Sequence, residues 1–155
     1  MRKLVICALA MCVSQGMAEA PLQVSVTPVL GPKLFRDGDV IEIRDVTATS
    51  NKLEQGDSVT VKGRARVDSH RSAKLCLLLT QTVGNGSEES DPAQSVTVAQ
   101  GLQDFELKIT IKHQGVLHLT YYESDAGKPF GGTYFGTEKQ MKAIETMDLR
   151  YYLKQ

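Results

Sequence analysis

The residues of this chain best equipped to hold a ligand are flat aromatic rings and regularly spaced charges. Three aromatic pairs, Tyr121-Tyr122, Tyr134-Phe135 and Tyr151-Tyr152, stand in strand-like or glycine-rich segments. Neighbouring residues on a strand point to opposite faces, so one ring of each pair must leave the core. Tyr122, Tyr134 and Tyr152 are the rings expected outside, and on one sheet they would form a platform for stacking on sugar rings. Lys62, Arg64 and Arg66 alternate along one segment and make a basic stripe, with Arg71 and Lys74 following. Arg64 and Arg66 are the charges expected to meet an anionic group. Each feature has a plainer explanation. Tyrosine is favoured in any strand, and a basic stripe keeps a wet face soluble or an edge unpaired.

Other reactive residue types are poorly arranged for chemistry. His70, His113 and His118 form no H-E-x-x-H or H-x-H pattern, and zinc takes three or four ligands, so no metal and no cofactor are expected. Carboxylates gather at Asp37/Asp39, Glu88-Glu89-Ser90-Asp91 and Glu123/Asp125, without the spacing of an EF-hand loop, and read as solvated loops. There is no G-x-S-x-G. Ser69 and His70 are adjacent and would face apart on a strand, so Ser69-His70-Arg71-Ser72 reads as a polar loop. Gly131-Gly132-Thr133-Tyr134-Phe135-Gly136 lacks both GxGxxG spacing and a Lys-Ser/Thr, so its glycines are assigned to a bend and a helix entry. Asn85-Gly86-Ser87 matches a glycosylation sequon, which matters only in a eukaryotic host.

The elements that must position these groups read with a period of two. Asp39–Ser50, Ser58–Val67, Ala73–Val83, Asp104–Lys112, Val116–Glu123 and Thr146–Leu153 alternate or run apolar, and weaker strands fall at Leu22–Val29, Ser95–Ala99 and Phe130–Phe135. Half-polar strands of this kind belong to antiparallel sheets with one wet face. Within Ser58–Val67, Gly63 falls at an inward position, where a strand glycine marks a bulge or a close approach. One helix competes: Thr137-Glu138-Lys139-Gln140 is a capping box, and Met141 and Ile144 share a face, predicting a helix near 138–145. About nine strands with turn signals between them predict an all-β antiparallel sandwich, jelly-roll or immunoglobulin-like, as a single domain over 19–155.

The N-terminus reads as an address. Arg2 and Lys3 precede an apolar run, Leu4–Val13, then small residues at Gly16, Ala18 and Ala20. The run rises about 15 Å as a helix, roughly half a bilayer core, so it fits a signal peptide over 1–18 rather than a span. Cys7 follows Ile6 and Cys12 follows Met11, which argues against a lipid anchor. Cleavage leaves Cys76 alone, without a disulfide, in an apolar run that makes it a small buried hydrophobe. Lys plus Arg and Asp plus Glu balance at 18 each, so no global field recruits nucleic acid or an anionic membrane.

Three phrases, Gly56-Asp57-Ser58-Val59-Thr60-Val61-Lys62-Gly63, Leu117-His118-Leu119-Thr120-Tyr121-Tyr122 and the glycine-rich Gly131–Gly136, resemble small secreted bacterial β-sandwich proteins. The pattern is also similar to carbohydrate-binding jelly rolls, which usually display Trp, whereas this chain has none. The resemblance implies a secreted or periplasmic β-sandwich. With the aromatic pairs it sets the expectation of a non-catalytic binding module for a glycan. The alternatives are a structural or protein-partner module of the cell envelope, adding a strand at a sheet edge, and an enzyme whose site is assembled from distant loops.

Overall fold

Strict alternation along Phe105, Leu107, Ile109 and Ile111 places all four side chains in the core. The same holds for Val59, Val61, Ala65 and Val67. A computed structural model describes residues 21–84, 90–146 and 148. The expected signal segment, the sequon, Tyr152 and nearly all of the expected strand Thr146–Leu153 lie outside the described residues.

Seven strands are built: β1 (Val24–Ser25), β2 (Val29–Leu34), β3 (Val40–Ala48), β4 (Ser58–Gln81), β5 (Ser95–Thr110), β6 (Gly115–Glu123) and β7 (Pro129–Gly136). A 3₁₀ turn, Pro92–Gln94, precedes β5, and one helix, α1 (Glu138–Ile144), follows β7. Thr137 caps α1 in the predicted box, its Oγ1 accepting from the Gln140 amide while Gln140 Oε1 accepts from the Thr137 amide at 2.8 Å. Among the described residues no helix is long and apolar enough to cross a membrane.

All pairing is antiparallel and every strand joins one sheet, in the order β1-β3-β4-β6-β7-β2 with β5 also on β4. The two separate sheets expected of a sandwich are therefore replaced by a single sheet curled into a half-barrel. The difference arises at residues 68–71. The polar loop expected at Ser69–Ser72, between two strands, is absent there: β4 runs through as one 24-residue strand. β5 accompanies it along one edge, from Ser58↔Thr110 to Cys76↔Ser95, with a register shift between Val67 and Ser72. The other edge takes β3 along its first half and β6 along its second.

Asp39 makes that continuity affordable in hydrogen-bond terms. Its buried carboxylate accepts the Asp68 and Ser69 amides on Oδ1 at 2.8 and 3.0 Å and the Ser69 hydroxyl on Oδ2 at 2.5 Å. Backbone donors displaced from the ladder by the bulge are thus satisfied. Opposite the bend, Gly101 adopts φ +102°, a conformation closed to most side chains. Gly63 shows the close approach expected of it: a Cβ there would strike the Glu42 carbonyl and the Phe105 ring.

The concave face holds the main core, including Leu75, Leu77, Leu107, Leu119, Tyr121, Phe130 and Phe135. A second cluster, Val116, Tyr134, Met141 and Ile144, lies where α1 covers the opposite face. β1 and β2 are joined by three residues, yet they form the two ends of the sheet path, β1 on β3 and β2 on β7. The N-terminal strands therefore tie the ends of the curl together.

Candidate ligand-binding site

Two of the three platform tyrosines, Tyr122 and Tyr134, are among the described residues, and they share a face. Alternation holds, since Tyr121 and Phe135 point into the core and Tyr122 and Tyr134 to the other face. That face is covered, however. Tyr134 is 1% exposed, packed with Met141 and Ile144, its hydroxyl 2.9 Å from Thr80 Oγ1 and its ring 4.9 Å from that of His118. The expectation of an outward Tyr134 is thus corrected by α1, which lies over it. Tyr122 is half-buried beside His118 and Gln94, and burial raises its hydroxyl pKa. Tyr152 lies outside the described residues.

The basic stripe is placed as expected, on the outward face of β4, but most of its charge is matched. Arg64 is flanked across the strands by Glu42 and Asp104, and its Nε lies 3.2 Å from Asp104 Oδ1. Lys62 is flanked by Asp45 and Glu106 and sits 3.3 Å from Glu106 Oε2. Opposite charges facing each other across a ladder stabilise it and leave little field for an anion. Arg66 differs: its cross-strand neighbours are Val40 and Leu102, both about half exposed.

A cleft of about 590 Å³ lies beside this stripe. Its lining comes from β3 (Asp45, Thr47), β4 (Ser58, Thr60, Lys62) and β5 (Glu106, Lys108, Thr110), bordered by Gln23 and by Asp91 of the turn before β5. Register puts Thr47 opposite Thr60 and Ser58 opposite Thr110, so four hydroxyls occupy adjoining cross-strand positions. Ser58 and Thr110 are 3.3 Å apart. Glu106 receives Lys108 at 3.1 Å as well as Lys62, and hydrogen bonds from these two lysines hold its carboxyl below the usual range. The cleft thus offers hydroxyls, ammonium groups and carboxylates in one patch, able to donate to and accept from a polar ligand. Sequence reading passed over these hydroxyls because Ser58, Thr60 and Thr110 are ordinary outward strand residues and Thr47 shares the parity of Ile41 until the register shift between Ile43 and Asp45 turns it outward; only the register between strands brings them together.

Histidine, thiol and serine chemistry is accounted for by packing. His118 is buried, with Nδ1 2.6 Å from Thr120 Oγ1, and burial lowers its pKa to about 4, so the ring is neutral near pH 7. Cys76 is buried and burial raises its thiol pKa. Ser69 Oγ lies 2.7 Å from His70 Nδ1, a contact that the strand bend permits and a regular strand would forbid. The Ser69 proton is nevertheless donated to Asp39, which leaves the hydroxyl oxygen as an acceptor toward the ring. Among the described residues no group of three or more His, Cys, Asp or Glu side chains is placed to hold a metal.

Comparison with family models, curated proteins and solved structures finds no match to this chain.

Proposed function

We propose that this protein is an exported, non-catalytic binding module that takes a glycan in the cleft across β3, β4 and β5. The observation that carries the reading is the lining: four hydroxyls in adjoining positions, edged by the Lys62–Glu106–Lys108 group. A polyhydroxylated ligand exchanges hydrogen bonds with water for hydrogen bonds with such a surface, and paired charges strengthen the individual bonds. Export to the periplasm or medium is supported by the basic start and the short apolar run of residues 1–18. The binding surface moves from the tyrosines to the cleft, with Arg64 and Arg66 at its margin on the same face.

The test is a glycan and polysaccharide array on the purified protein, followed by titration calorimetry of any saturable hit. Thr60→Val and Lys62→Ala lie on a wet face and should leave the melting temperature within about 2 °C while weakening binding tenfold or more. Equal binding by both variants would remove the cleft from the reading. A folded protein that retains no glycan would remove the ligand class.

A second reading, strand addition by an envelope protein, is favoured by β5. Among the described residues this 16-residue strand pairs only with β4, and Val96 and Leu102 are exposed along it. Proline at Thr97 would abolish capture of such a partner while leaving glycan binding intact.

A further inference from the structure

A second recess, of about 470 Å³, lies where the β3–β4 loop, the β5–β6 turn and α1 meet, between Asn51, Lys52, Glu54, Gln114, Lys139 and Ala143. One lining side chain ties these segments together. Gln140 Oε1 accepts the Thr137 amide at 2.8 Å and the Thr137 hydroxyl at 3.1 Å, while Nε2 donates to the Leu53 carbonyl at 2.9 Å and lies 3.5 Å from that of Gly115. Leu53 offers that carbonyl from the left-handed region, φ +52°, with its side chain buried. A strained residue held by packing and a hydrogen bond makes a wall that is formed before any ligand arrives.

The recess and the cleft share a border. Glu54 lines the recess and Ser58 the cleft; Gln114 lines the recess and Lys112 the cleft. Between them Gln55 Nε2 donates to the Lys112 carbonyl at 2.9 Å, bridging loop and turn. Lys112 and Gln114 are two residues apart in sequence, so their Cα atoms are separated by no more than about 7 Å. A chain of several sugar units lying in the cleft is long enough to cross that bridge. Charge distinguishes the two sides. In the cleft Lys62, Lys108 and Lys112 are balanced by Asp45, Asp91 and Glu106. In the recess Lys52 lies 3.4 Å from Glu54, whereas Lys139, exposed on α1, forms no ion pair among the described residues.

We propose that the recess is a second subsite of the same binding surface, taking a carboxylate-bearing sugar of a glycan chain whose neighbouring units occupy the cleft. The proposal rests on the glycan reading of the cleft and narrows its ligand to an acidic oligosaccharide. Lys139 supplies the ammonium for the carboxylate, and Asn51, Thr82 and Gln114 line the recess with amides and a hydroxyl for the remaining oxygens.

Titration calorimetry with two-unit and six-unit uronic acid oligomers, each beside its methyl-esterified counterpart, tests it. The acidic six-unit chain should bind about tenfold tighter than the acidic two-unit chain and about fivefold tighter than its own methyl ester. Lys139→Ala should erase the preference for acid over ester, as should high salt, and Ala143→Phe, which fills the recess from an exposed position, should erase the gain with length. The two-unit methyl ester, held by the cleft, should bind both variants as it binds the wild type. A six-unit acid that gains nothing over its ester or over the two-unit acid, or gains that survive both variants, would overturn the subsite. If the two-unit ester still binds and Thr60→Val weakens it, the subsite alone falls; if no glycan of either kind binds, the glycan reading falls and the subsite with it.

Discussion

Buried titratable side chains set how this molecule meets acid. His118 is neutral in the fold, with burial holding its pKa near 4, while an unfolded histidine takes a proton near pH 6.5. A depressed folded-state value means that the stability His118 allows is present above about pH 6.5 and is lost as pH falls toward 4. The loss is on the order of 3 kcal/mol when complete. His118→Asn, or another neutral residue of similar size, should flatten the fall in melting temperature between pH 6.5 and 4.5 compared with the wild type. Cys76 gives a second prediction at this scale. Buried and with a raised pKa, its thiol should resist Ellman's reagent in native buffer and react at once in guanidinium. Its burial follows from an apolar strand pattern, and its role was legible without coordinates. Tyr134 was not: its outward direction follows from alternation, but its burial depends on Met141 and Ile144, which arrive from a helix whose docking no local pattern specifies.

Elements here are held by carboxylates at irregular points as much as by apolar faces. Asp57 closes the loop between β3 and β4, accepting Ser50 Oγ at 2.7 Å, Thr49 Oγ1 at 2.9 Å and the Glu54 amide at 3.0 Å. Burial alone would raise its pKa; the hydrogen bonds from Ser50, Glu54 and Thr49, aided by Lys52, outweigh burial and lower it. The same loop holds buried Leu53 at φ +52°, a strained position for a branched side chain. Asp39 plays the equivalent part at the β4 bend. Asp57→Ala and Asp39→Ala should each cost about 2 kcal/mol, because buried donors lose their acceptor, and denaturant melts would measure it. A cost below half that figure for Asp39 would mean that the bend is carried by packing alone. Strand positions, the capping box at Thr137 and the inward residues of Phe105–Ile111 were readable because each reflects a short-range rule. The fusion of Ser58–Val67 and Ala73–Val83 into one strand was unreadable, since the acceptor that permits it sits about thirty residues upstream in sequence.

For the whole molecule, the decisive contacts are those between distant segments. Which face of β4 meets which face of β5 follows from register, and register is also what collects Thr47, Ser58, Thr60 and Thr110 into one patch. Alternation identifies Ser58, Thr60 and Thr110 as outward but does not say which outward residues become neighbours, and Thr47 joins them only through the register shift between Ile43 and Asp45, which turns it from the Ile41 face. The curl itself depends on the N-terminal strands, because β1 and β2, joined by three residues, are the opposite ends of the sheet path. Removing residues through Leu34 should leave the outer edges of β7 and β3 unpaired and uncover Leu34's partners around Tyr134 and Met141. Such a truncated chain is expected to bind the dye ANS and to elute as aggregates in size-exclusion chromatography, whereas the intact protein should do neither.

The pairing of β2 with β7 also governs the order in which the chain can fold. Val29 meets Gly136, so the first long strand to be synthesised waits roughly a hundred residues for its partner. Until the last strand is available, the curl cannot be tied, and the earlier segments remain an incomplete sheet. The topology builds the delay in: the sheet can be closed only once the chain is made through β7.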